Sequence, residues 1–68
     1  MRDILSRRER QIVKLISEGH SSREIADTLS VSPRTVEAHR ANIYRKLGMH
    51  NIADLIKYAI KVGIAGLD

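Results

Sequence analysis

Three helix-start signals lie so close together in this chain that it has room for little except short helices. Ser6-Arg7-Arg8-Glu9 and Ser21-Ser22-Arg23-Glu24 each place a glutamate three residues after a serine. In that arrangement the serine hydroxyl accepts from the glutamate amide while the carboxylate accepts from the serine amide, so two orphan donors are satisfied together. Ser32-Pro33 is the third start: the serine caps, and the proline takes the first helical position, where no amide hydrogen is needed. Asn51 can cap a further helix, and Gly19, Gly48 and Gly63 supply the stops. The spacing predicts helices over about 7–18, 22–29, 33–47 and 52–62, with Met1 to Leu5 as a lead-in or linker remnant.

Apolar residues recur at helical spacing inside each segment. Ile12, Val13, Leu15 and Ile16 make a wide stripe on the first helix, and Ile25, Ala26 and Leu29 face inward on the second. Val36, Ile43 and Leu47 share one side of the third; Ile52, Leu55, Ile56, Ala59 and Ile60 are the apolar residues of the fourth. Only Ser30-Val31-Ser32 separates the second helix from Pro33. Helices joined that tightly must cross steeply, with Val31 plugging the corner, which makes residues 22–47 a helix-turn-helix. Such turns often use glycine where Ser30 stands here. The fold class expected is all-α, a single four-helix domain over residues 1–68.

The outward face of the third helix is unusual. Arg34, Ala38, Ala41 and Arg45 lie opposite the apolar side, with Glu37 and Asn42 on the flanks. A solvated face would favour long Glu, Lys and Gln. Alanines instead let a backbone approach a surface closely, and arginines seek anions. Charge distribution agrees. The chain carries 12 Lys and Arg against 8 Asp and Glu, a net +4. Most of that excess sits on and just after this helix, where Arg34, Arg40, Arg45 and Lys46 are opposed only by Glu37. Clustering of this kind favours a polyanionic partner.

Other function classes are disfavoured. A chain of 68 residues buries only about 60% of its extended surface and has no room for a large catalytic cleft. It has no cysteine, hence neither disulfides nor thiolate metal sites. His20, His39 and His50 have no cysteine or carboxylate at ligand spacing, so no metal is expected and no cofactor. Ser6, Ser21 and Ser32 are explained by capping rather than nucleophilic chemistry, and no glycine-rich phosphate loop or paired carboxylates occur. The chain is therefore read as a non-enzyme. No apolar run reaches the ~18 residues of a membrane span and no signal-peptide pattern opens the chain, which sets a cytoplasmic expectation.

Taken together, Leu5 through Arg10, Gly19, Ser21 through Ala26, Leu29, Val31 through Val36, His39, Ile43, Lys46-Leu47 and the closing Ala59…Gly63-Ile64 pattern resemble the LuxR/GerE-type helix-turn-helix family. The string from Thr35 to Asn42 is most similar to the FixJ/NarL branch of response-regulator output domains. The resemblance implies sequence-specific binding of double-stranded DNA for transcription regulation, with helix 33–47 in the major groove. It also implies dimerisation through the fourth helix and, commonly, an N-terminal receiver domain. The chain is then either an isolated effector fragment or a stand-alone regulator like GerE. RNA polymerase is a further candidate partner; a membrane or a small-molecule ligand is not expected. Two rivals remain: a promoter reader like sigma-factor region 4, and a helical module that binds an acidic protein.

Arg34, Glu37, Ala38 and Ala41 map onto the family positions that face base edges. Glu37 stands where other members carry lysine. It either accepts from a base such as cytosine N4, or pairs with Arg34 or Arg40 to orient that arginine, or is simply solvated. The alanines touch thymine methyls, permit close approach, or are ordinary helix formers. Arg23, Thr35, Asn42, Arg45 and Lys46 are assigned to phosphates, as are the helix N-termini at Ser21 and Ser32. Lys46 matches its family position. Arg40 lies near the apolar side, where it snorkels or binds an acidic group such as Glu9. His39 is structural or phosphate-adjacent. Asp54, Lys57, Tyr58 and Lys61 form the outward side of the fourth helix and the expected dimerisation surface, Tyr58 being either an interface anchor or a rim residue of the chain's own core.

Overall fold

A computed structural model describes residues 4–65. It contains four helices: α1 (Arg7–Ser17), α2 (Ser22–Leu29), α3 (Pro33–Leu47) and α4 (Ile52–Lys61), and no strand among the described residues. Both capping boxes form. Ser6 Oγ accepts from the Glu9 amide at 3.1 Å while Glu9 Oε1 accepts from the Ser6 amide at 2.8 Å. Ser21 and Glu24 repeat the exchange at 3.2 and 2.9 Å. Ser32 Oγ accepts from the Thr35 amide at 3.2 Å, and Asn51 Oδ1 from the Asp54 amide at 2.9 Å. Helices α1 and α4 end one residue before the expected 18 and 62, because Glu18 and Val62 leave helical geometry to become the caps.

All four helices end in the same way. The amides of His20, Val31, Met49 and Ile64 reach back to the carbonyls of Leu15, Ala26, Tyr44 and Ala59, at 3.1, 3.0, 3.0 and 2.8 Å. This is the six-to-one bond of a Schellman stop, which requires a left-handed residue just before the donor. Glycine fills that position in three helices. In the helix-turn-helix corner Ser30 fills it, at φ 59° and ψ 43°. The side chain therefore stands in a conformation that costs an L-residue roughly 1 kcal/mol, and the turn closes without glycine. Val31 sits half-buried against the core, as a corner plug should.

The core is Ile12, Val13 and Ile16 from α1, Ile25 and Ala26 from α2, Val36 and Ile43 from α3, and Leu55 and Ala59 from α4. Helix α1 packs against each of the other three, while α2 packs on α3. Leu5 corrects the reading of residues 1–5 as a lead-in: it is 4% exposed and belongs to the core. It lies before the first capping box, where helical periodicity gives no signal. Met1 to Asp3 lie outside the described residues. On α4 the apolar residues divide. Leu55 and Ala59 are buried, whereas Ile52 and Ile60 are 47% and 38% exposed.

Candidate nucleic-acid interface

Helix α3 is 15 residues long and buries one narrow side. Val36 and Ile43 are fully buried, with Tyr44 and Leu47 packed partly against the core. The opposite side is open: Arg34, Glu37, Ala38, Ala41 and Arg45 are all exposed. The four residues expected to face base edges thus lie together on one free surface. This surface is cationic at both ends and has alanines at its centre, so a backbone of helical radius can approach a groove wall there.

The residues assigned to phosphates surround that face. Thr35, Arg45, Lys46, Ser21, Arg23 and Ser32 are exposed, and Asn42 is half-buried. Arg45 donates from Nη2 to Asn42 Oδ1, so these two act as one unit on the C-terminal half of α3. Ser32 Oγ and Thr35 Oγ1 lie 3.0 Å apart at its start. The caps occupy the Glu24 and Thr35 amides, leaving the first-turn amides of Ser22, Arg23 and Arg34 directed out of the helix ends. Two helix N-termini therefore offer N–H groups beside the same face.

Lys46 makes a contact inside the fold that its position in the sequence does not reveal. Its Nζ is 2.8 Å from Glu9 Oε1, which also accepts from the Ser6 amide. The Glu9 side chain is 6% exposed and that of Lys46 42% exposed. Burial pushes the Glu9 carboxyl up, but the Lys46 ammonium and the Ser6 amide and hydroxyl outweigh it and hold the group below its ordinary value. One proton of Lys46 is thus committed inside the fold, and the others face solvent. Arg40, offered Glu9 as a partner by the sequence, does not take it. Its Nη1 donates to Ser22 Oγ at 3.4 Å instead.

Glu37, too, has a partner on another helix. Its Oε2 accepts from Ser22 Oγ on α2, rather than from Arg34 or Arg40. No local pattern links Ser22 to Glu37, which lies fifteen residues on. His39 is half-buried beside the core, and no group of three or more His, Cys, Asp or Glu among the described residues is placed to hold a metal. Asp54, Lys57, Tyr58 and Lys61 share the wall of one shallow groove with Leu47, Gly48 and Met49 at the C-terminal end of α3. Tyr58 is half-buried and packs against the core. No helix among the described residues is long and apolar enough to cross a membrane.

Comparison with known proteins agrees with this geometry. The family described as bacterial regulatory proteins, luxR family, matches residues 3–59. The Fimbriae Z protein of Escherichia coli K12 is 52% identical over 56 residues, which are 82% of this chain and 27% of that protein. The oxygen regulatory protein NreC of Staphylococcus aureus JH9 is 48% identical over 58 residues, 85% of this chain and 27% of that protein. The chain therefore spans about a quarter of the length of the curated relatives it matches. Among solved structures, the transcription factor GerE superposes with a TM-score of 0.87 at 33% identity, covering 98% of this chain and 100% of that one. The response regulator ChrA of a heme-sensing two-component system superposes with a TM-score of 0.81 at 36% identity, covering 94% of this chain and 32% of that one.

Proposed function

Since the chain belongs to the luxR family of bacterial regulatory proteins, with the four-helix fold of GerE, we propose that it controls transcription by reading a specific duplex DNA sequence. Helix α3 lies in the major groove. Arg34, Glu37, Ala38 and Ala41 meet base edges, while Arg23, Thr35, Asn42, Arg45, Lys46 and the helix starts at Ser21 and Ser32 hold the flanking phosphates. The observation that carries this reading is the division of α3, with Val36 and Ile43 at 0% exposure beneath a fully open Arg–Ala face.

The likeness to ChrA and the quarter-length match to the Fimbriae Z protein and NreC support the output domain of a cytoplasmic response regulator, under the control of a receiver. In that setting α4 pairs with the α4 of a second copy. Asp54, Lys57, Tyr58 and Lys61 supply its polar part, and the exposed Ile52 and Ile60 give it an apolar edge. Such a dimer reads two half-sites.

Fluorescence anisotropy with duplex DNA tests the proposal. Affinity should fall steeply with salt, and Arg45→Ala should reduce the log–log slope by about 0.9 through the loss of one phosphate contact. Absence of binding at low salt, or binding indifferent to salt, would overturn it in favour of a protein-binding module.

A further inference from the structure

Ser22 is the first residue of α2, half-buried in the angle between α2 and α3. Its hydroxyl is doubly engaged across that angle. It donates to Glu37 Oε2 and accepts from Arg40 Nη1 at 3.4 Å, so one oxygen joins a carboxylate on the open face of α3 to a guanidinium on its flank. A capping role does not explain this, because Ser21 already caps α2 and Glu24 completes the box.

Consider Glu37 without Ser22. An exposed glutamate has three rotatable bonds, and fixing it costs on the order of 1–2 kcal/mol of side-chain entropy. Inside a groove bordered by phosphates it is also repelled, so it would turn aside into water. The Ser22 bond removes much of that freedom before any DNA arrives. It ties down Oε2 and leaves Oε1 to accept. Arg40, on the far side of the same hydroxyl, offsets part of the carboxylate's charge.

We propose that Ser22 is a positioning residue for sequence discrimination: it holds Glu37 so that its second oxygen accepts from the N4 amine of a cytosine in the major groove. The inference rests on the reading of α3 as the recognition helix. In the major groove cytosine presents only a donor, guanine presents two acceptors, thymine one, and adenine a donor beside an acceptor, N7. A carboxylate oxygen held there accepts from cytosine, is repelled by guanine and thymine, and meets the adenine amine only next to the repelling N7. Discrimination then comes from a residue that touches no base.

Selection from a random duplex pool with the 68-residue chain, in parallel with three variants, tests this. Wild type should show a cytosine preference at one position of the half-site, and Glu37→Ala should relax it. Ser22→Ala should relax the same position, by about 5- to 10-fold, and leave affinity for unrelated duplex and its salt slope within about twofold. Ser22→Thr keeps a hydroxyl and should restore the preference. Alanine suits the first turn of a helix, so Ser22→Ala is expected to keep its melting temperature, measured alongside. An unchanged preference in Ser22→Ala, or a loss spread evenly over all sequences with a lowered melting temperature, would reduce Ser22 to a brace between helices. Those results would leave the DNA reading intact. Failure of wild type to bind any duplex at low salt would overturn both.

Discussion

Replacing Lys46 by methionine keeps most of the side chain's bulk and removes its charge, which isolates the ammonium's bond to Glu9. Breaking a well-buried ion pair by removing one partner costs about 3–5 kcal/mol. Here the lysine side chain is 42% exposed, and Glu9 keeps its bond from the Ser6 amide, so the lower figure for a charge-assisted hydrogen bond, roughly 2 kcal/mol, applies. A domain of this length has only about 3–10 kcal/mol in total. At about 4–8 °C per kcal/mol, Lys46→Met should lower the melting temperature by roughly 8–16 °C at neutral pH.

The pH dependence fixes the cause. Glu9 titrates in the folded chain below its ordinary value of 4.5. Its contribution is therefore complete above that value and is lost as pH falls through the depressed one, because the unfolded chain takes up the proton first. Denaturant unfolding at pH 7 and at about pH 3 should show the gap between wild type and Lys46→Met narrowing in acid. Glu9→Gln, which retains an acceptor without the charge, should flatten the acid limb of wild type. A gap below about 0.5 kcal/mol at pH 7, or one that persists undiminished in acid, would refute the ion pair as the source. The same logic governs DNA-binding assays: a Lys46 variant confounds lost contact with lost fold, and Arg45→Ala does not.

Two further outcomes follow from the geometry. Ser30→Gly should stabilise the chain by up to about 0.5 kcal/mol in chemical denaturation, since relief of the left-handed strain slightly exceeds glycine's added chain entropy; a destabilised variant would show that the Ser30 side chain contributes more than it strains. Ile60→Glu should shift sedimentation of the DNA-bound chain from dimer towards monomer while leaving the melting temperature within a few degrees, because Ile60 is exposed. An unchanged dimer would remove the apolar edge of α4 from the interface. Tyr58→Glu is the poorer test, since Tyr58 packs against the core.

Helix limits and caps were legible in the sequence because each rests on contacts three or four residues apart. Ser6, Ser21, Ser32 and Asn51 cap where the pattern places them, and the open face of α3 follows from a period of 3.6. What escaped the sequence is long-range or unpatterned. Glu9 and Lys46 are 37 residues apart, Ser22 and Glu37 fifteen, and no local rule pairs either couple. Leu5 precedes its helix and so has no period to join. The split of α4 into buried Leu55 and Ala59 and exposed Ile52 and Ile60 depends on which neighbour it packs against, and only α1 covers it substantially.

These long-range pairs bear on how cationic charge is divided. Four basic residues between 34 and 46 suggest four contacts to a polyanion. In the folded chain Arg40 is turned to Ser22, and Lys46 has one proton on Glu9, while Arg34 and Arg45 stand on the open face. The first pair fastens α3 to α2 and α1; the second stays on α3 itself, Arg45 bonding its neighbour Asn42. Apolar packing at Val36 and Ile43 sets the depth of α3, but a narrow apolar strip resists rotation about the helix axis poorly. Polar ties on either side resist it better, because each has a preferred direction. On the proposed reading, a helix that presents Glu37 and Arg34 to particular base edges needs that rotational setting, and Arg40 serves it through Ser22 without itself being one of the readers.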